Sequence, residues 1–111
     1  MIFQMNLHIG PFELIKSGQK DIEMRLYDER RRSLKIGDEI VFTNNETDEK
    51  ITVEIINLYR FKDFHELYSH FPKERLGYVS DQPANPEDME IYYSKEKIKE
   101  YGVIAIEIKL K

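Results

Sequence analysis

The sequence predicts an α+β fold in which a small curled sheet or barrel, mostly antiparallel, carries short helices at its side. Three observations point there. In residues 20–27, Ile22, Met24 and Leu26 alternate with Asp21, Glu23, Arg25 and Tyr27, the period of a half-buried strand. Residues 39–43 and 51–61 are β-branched runs on either side of a polar hairpin loop, 44–50. After Phe61 the apolar period lengthens to that of a helix, with Phe64, Leu67, Tyr68 and Phe71 on one side.

The remaining elements follow in order. Residues 2–9 read as a first strand through Phe3, Met5 and Leu7. Gly10-Pro11 breaks that strand, and Pro11 suits the first turn of a helix over 11–18 with Phe12, Leu14 and Ile15 on its apolar side. Ser17-Gly18 stops the helix. Residues 28–35 form a charged loop or short helical turn, and residues 35–38 a tight turn into the next strand. Asp63 is placed to N-cap the helix after Phe61, with Glu66 as its capping-box partner and Pro72 as its end. Residues 73–86, with Gly77, Pro83 and Pro86, read as an irregular segment and as the candidate for a mobile loop over a site. One or two short helices are expected over 87–101, with Ser94 as an N-cap. Gly102 opens a last strand over 103–110 whose Ile104, Ile106, Ile108 and Leu110 form the core face.

Composition bounds the function. A chain of 111 residues with 41% hydrophobic residues is expected to form one domain, 1–111, with a small core. No apolar run reaches the 18 or so residues that span a bilayer, and no signal-peptide core follows Met1, so a cytoplasmic location with no membrane partner is expected. The absence of cysteine removes disulfides, a thiolate nucleophile and Cys-ligated zinc. His65 and His70 stand roughly 140° apart on a helix, so they make no metal pair, and the five glycines are too dispersed for a phosphate loop. No metal and no cofactor is expected. A formal net charge of −4 argues against unselective binding of long nucleic acid, while leaving room for a local basic site.

The chemistry concentrates in the strand 20–27. Glu23 and Arg25 share a face, roughly 6.5 Å apart, with Tyr27 next on that face and Lys20 at the strand's mouth. A carboxylate, a guanidinium, an ammonium and a phenol so arranged suit an anionic, hydrogen-bonding ligand such as a nucleotide. They equally suit a solvated face on which Glu23 and Arg25 pair. Arg30, Arg31, Arg32 and Lys35 could reach phosphates or simply be solvated, with Asp28 and Glu29 partly neutralising them.

Gly18-x-Lys20-x-x-Glu23-x-Arg25, followed by Ile36-Gly37-Asp38-x-Ile40-x-Phe42, resembles the ASCH (activating-signal-cointegrator homology) family of the PUA-like superfamily. The resemblance continues through Phe64-His65-Glu66-Leu67, Ile91-Tyr92-Tyr93-Ser94 and Tyr101-Gly102-Val103-x-Ala105-Ile106. It implies a PUA-like β-barrel of five to six mostly antiparallel strands, helices packed at one side, and a cleft beside the first helix and the Lys-to-Arg strand. It also implies RNA or a nucleotide-like ligand, including a modified nucleoside, as partner. In such a module Lys20 and Arg25 would contact phosphate or carbonyl oxygens, with Arg32 as a further basic contact. Glu23 would accept hydrogen bonds from a base or ribose, and Tyr27, Tyr92 or Tyr93 would stack on a base. Some small bacterial members are amidohydrolases of acetylcytidine that use a Lys, a Thr and a Glu, and another branch is linked to RNA cleavage. Lys20 matches the lysine, Glu23 falls where the threonine is expected, and Glu74 is the nearest candidate for the third residue by counting. The alternative function is therefore a metal-free hydrolase using Lys20 and Glu23, and a protein-interaction domain is a third reading.

Overall fold

In the computed structural model, which describes residues 1–111, five strands form one sheet in the order β1-β3-β4-β5-β2. They are β1 (Ile2–Leu7), β2 (Ile22–Leu26), β3 (Glu39–Asn44), β4 (Lys50–Phe61) and β5 (Val103–Leu110). β1 runs parallel to β3, and the other three pairings are antiparallel. The sheet curls into a half-barrel, leaving β1 and β2 as its two edges. Helices α1 (Ile9–Lys16), α2 (Phe64–Tyr68), α3 (Lys73–Leu76) and α4 (Lys95–Tyr101) pack beside it, with 3-10 turns at Arg31–Ser33 and Pro86–Ile91. None of these helices is long and apolar enough to cross a membrane.

Both faces of the sheet are buried over much of their area, which the single apolar face expected of β5 did not anticipate. Ile104, Ile106 and Ile108 point into the half-barrel among Phe12, Ile15, Phe42 and Ile55. Val103 and Ala105 point the other way and are fully buried under Phe64, Leu67, Leu76 and Met89. Leu110, assigned from sequence to the core face, is 41% exposed instead. The partial alternation of β4 has a local cause. A bulge between Ile55 and Asn57 changes the parity, so Ile55 opposes Ile108 and Leu58 opposes Ile106 on the inner face.

Helix boundaries differ from the sequence expectation in three places. β1 stops at Leu7 and α1 begins at Ile9, because Pro11 needs no amide donor anywhere in the first turn. α2 spans only five residues, since the chain turns at Ser69 and Phe71 packs edge-on against Tyr59 at 5.3 Å. Residues 73–76, read as part of an irregular stretch, form α3, which Gly77 closes with a positive φ of 109°. The loop beyond is tethered, because Lys73 Nζ donates to the carbonyls of Ser80 and Gln82 at 2.9 and 2.7 Å. The caps read from sequence are present. The Asp63 carboxylate accepts from the Glu66 amide at 2.9 Å, and the Ser94 hydroxyl accepts from the Lys97 amide at 3.2 Å.

Gly102 joins α4 to β5 at φ 73° and ψ −174°, a region that only glycine occupies without strain, and a Cβ there would lie 3.0 Å from the Phe61 carbonyl oxygen. Gly102→Ala is expected to cost about 1–3 kcal/mol from the backbone alone, read as a lowered urea midpoint at unchanged slope.

Candidate functional site

The polar face of β2 is turned inward. Glu23 and Arg25 oppose Ile106 and Ile104 of β5, whose side chains fill the half-barrel, whereas Met24 opposes Ala105 of the outer face. Ile22 and Met24 accordingly pack under α2 and α3, and the charged residues of the strand face the open seam between β2 and β1. A cleft of about 490 Å³ opens at this seam. One wall comes from the end of β1 and the start of α1, through His8, Pro11 and Leu14. The other comes from the segment that runs from Tyr68 to Tyr93.

Its floor is an ion cluster. Glu23 is 3% exposed and Lys20 is 7% exposed. Lys20 Nζ lies 3.3 Å from Glu23 Oε1, which also accepts from the Met24 amide at 3.1 Å. Arg25 donates to Glu23 Oε2 from Nη2 at 2.9 Å and from Nε at 3.3 Å. Burial alone would raise the Glu23 carboxyl. Lys20 first, then Arg25 and the Met24 amide, outweigh it and hold the group below the usual carboxylate range. Burial likewise opposes the Arg25 charge, but Glu23 and then the Tyr93 phenol prevail and keep the guanidinium above its ordinary value. Two cations on one carboxylate leave one surplus positive charge on a buried floor. The nearest lining carboxylate on the far wall, Asp88, is exposed to solvent and occupied by a phenol.

Local structure puts Lys20 in place. Its backbone amide donates to the Leu14 carbonyl at 3.0 Å and finishes α1, which frees the side chain to turn into the cleft. Gly77 gives it room, since a Cβ at Gly77 would sit 3.2 Å from Lys20 Cδ. The Gly77 end of α3 is fixed to the sheet by Arg75, which donates to Asp21 at 2.8 and 3.2 Å and to Glu107 at 2.7 Å.

The far wall carries a hydrogen-bonded chain that sequence reasoning missed. Tyr78 donates its hydroxyl to Asp88 at 2.8 Å, and the Tyr68 hydroxyl lies 2.8 Å from that of Tyr78. Burial, the largest influence on both phenols, pushes them up, so both keep their protons at neutral pH. Helical spacing alone places Tyr68 in an apolar stripe. A tyrosine among phenylalanines was the available signal, because a half-buried hydroxyl demands a partner.

The sequence-selected residues divide into two groups. Lys20, Glu23, Arg25, Tyr92 and Tyr93 all line the cleft. Tyr92, 50% exposed, stands at the rim 6.1 Å from the His8 ring. Tyr93 is half-buried and stacks against Phe64 at 6.1 Å while its other side lines the cleft. Tyr27, Arg32 and Glu74 lie outside the lining. Tyr27 keeps the parity of Glu23 and Arg25 but sits past the end of β2, packed on the inner core. Glu74 is exposed on α3, where the helix turns its Leu76 inward and not Glu74.

Glu23→Gln leaves two buried cations without their carboxylate and is expected to cost about 3–5 kcal/mol at neutral pH. Because the folded-state pKa of Glu23 is depressed, its contribution is full above the unfolded value, about 4.3, and is lost as pH falls through the folded one. The deficit of the variant should therefore shrink below about pH 4. Urea unfolding at neutral and acid pH checks both. Gly77→Ala should displace Lys20 and strain α3 at its positive φ, costing about 1–3 kcal/mol and disturbing the Lys20 Nζ resonance in NMR spectra.

Comparisons with known proteins agree with this architecture. No curated protein matches the chain. A crystal structure of the hypothetical protein PH0355 superposes with a TM-score of 0.80 at 36% identity, over 100% of both chains. The solution structure of protein PF0455 from Pyrococcus furiosus gives 0.71 at 36% identity, over 99% of this chain and 97% of that one. An ASCH protein from Zymomonas mobilis shares the fold at 17% identity, with a TM-score of 0.67 over 97% of this chain and 66% of that one. The ASCH domain family model matches residues 5–111, and on that match the chain belongs to the ASCH domain family.

Proposed function

We propose that the cleft binds RNA or a nucleotide-like ligand, and that Lys20 and Arg25 receive its anionic or carbonyl oxygens. The observation that carries this reading is the surplus positive charge of the Lys20–Glu23–Arg25 cluster, buried at the floor of a half-apolar cavity. A desolvated charge surplus is costly unless an anion completes it, and a charge-assisted bond formed there is stronger than one in water. Above the floor, Tyr92 and Tyr93 with His8 offer aromatic faces to a base. The Tyr68–Tyr78–Asp88 chain offers polar edges opposite.

A metal-free hydrolase of acetylcytidine or RNA has less support. It would use Glu23 as general base, and a base needs an available lone pair and a pKa near neutrality. Glu23 is instead held ionised, engaged by three hydrogen-bond donors from Arg25 and Met24 and paired with the Lys20 ammonium. Glu74 stands away from it on the surface.

Isothermal titration of the purified protein with mononucleotides, acetylcytidine and a short single-stranded RNA tests the proposal. At least one nucleotide should bind, and Lys20→Met should weaken it by about 1.5–3 kcal/mol, roughly ten- to a hundredfold. Binding indifferent to Lys20 and Arg25 would remove the cleft from the reading. Turnover of acetylcytidine lost in Glu23→Gln would favour the hydrolase.

A further inference from the structure

Resting on that reading, we propose a second phosphate-binding subsite outside the cleft, formed by Arg32 and Arg60 over the ring of Tyr27, which makes the ligand an RNA strand and not a lone nucleoside. The guanidinium carbon of Arg60 lies 4.5 Å from the centre of the Tyr27 ring, and that of Arg32 lies 4.7 Å from it. Such distances are those of cation–π contacts, so one ring anchors two exposed cations. Nearby arginines are already paired with carboxylates. Arg25 pairs with Glu23 and Arg31 with Asp28 at 2.7 Å, whereas Arg32 and Arg60 make no ion pair or side-chain hydrogen bond. Their planar donors are thus gathered on one ring and unspent, the arrangement that a phosphate oxygen pair completes.

The location ties this pair to the cleft. Tyr27 follows Arg25 by two residues on the same face, roughly 6.6 Å along the strand. Across β5, Arg60 and Arg25 both oppose Ile104, so the two arginines belong to one row of the concave face. Arg30 lies on the same seam, donating to the Gln4 carbonyl at 3.4 Å, two residues along β1 from the Asn6 carbonyl that Arg25 meets at 3.3 Å. A strand that places one nucleotide over Lys20 and Arg25 can carry its neighbouring phosphate to the Tyr27 pair in a single extended step. The acidic net charge fits such a short contact better than a long one.

The test compares a labelled RNA hexamer with a mononucleotide, on wild-type protein and on the Arg32→Gln/Arg60→Gln double variant, across a range of salt. The hexamer should lose tenfold or more in affinity, and its plot of log affinity against log salt should become shallower by about 0.7, the share of one single-strand phosphate. Mononucleotide affinity should stay the same, and Arg32→Lys/Arg60→Lys should restore part of the hexamer affinity. Side-chain Nε–H signals of Arg32 and Arg60 should shift with hexamer and not with mononucleotide. Equal hexamer affinity and salt slope in both proteins would overturn the subsite while leaving the cleft intact. A hexamer that fails to bind wild-type protein while a mononucleotide binds would overturn the subsite alone. Failure of both ligands would overturn the two together, and a melting curve on each variant guards against loss of fold.

Discussion

The buried carboxylate of Glu23 is the constraint on which the site depends. A carboxylate this deep is stable only if charged partners and hydrogen bonds replace the water it has lost. Lys20 and Arg25 supply the charges and the Met24 amide another donor. Each partner then imposes its own requirement. Lys20 needs α1 to end where its backbone can cap the helix, and it needs the backbone of Gly77 to pass close by. Arg25 reaches past Glu23 to the Asn6 carbonyl and so touches the opposite edge of the sheet.

That last contact bears on how an open half-barrel survives. β1 and β2 are edge strands with free carbonyls, and such edges invite pairing with other chains. Here the β1 edge is met by arginine donors at Gln4 and Asn6, and the β2 edge is roofed by the segment that carries α3. The gap between them, wide enough for a ligand, becomes a cleft and not a completed barrel. The proposed ligand site and edge protection thus draw on the same guanidinium, Arg25.

Membership of the ASCH family does not by itself assign the chemistry, which rests on what the residues at the floor of the cleft can do. A hydroxyl can be activated by a neighbouring lysine to attack a carbonyl. A carboxylate in that place instead neutralises the lysine and gathers an arginine. In that arrangement the carboxylate organises its neighbours, which accords with the proposed ligand site.

Much of this was legible in the chain. Alternation identified the strands, the Asp63 and Ser94 caps marked the starts of α2 and α4, and the Gly-x-Lys-x-x-Glu-x-Arg element singled out Lys20, Glu23 and Arg25. These are local properties, fixed by backbone period and short-range hydrogen bonds. The sequence could not say which face of β2 is the inside, because alternation has no sign. Pairing with β5 decided it, turning the charged face inward beside Ile104 and Ile106 and the apolar face out under α2 and α3. Nor could spacing along the chain bring Tyr68, Tyr78 and Asp88 to the wall facing Lys20, or move Tyr27 and Arg32 away from the cleft toward Arg60. Those relations join residues far apart in sequence, and only the closure of the sheet and the packing of the helices upon it determine them.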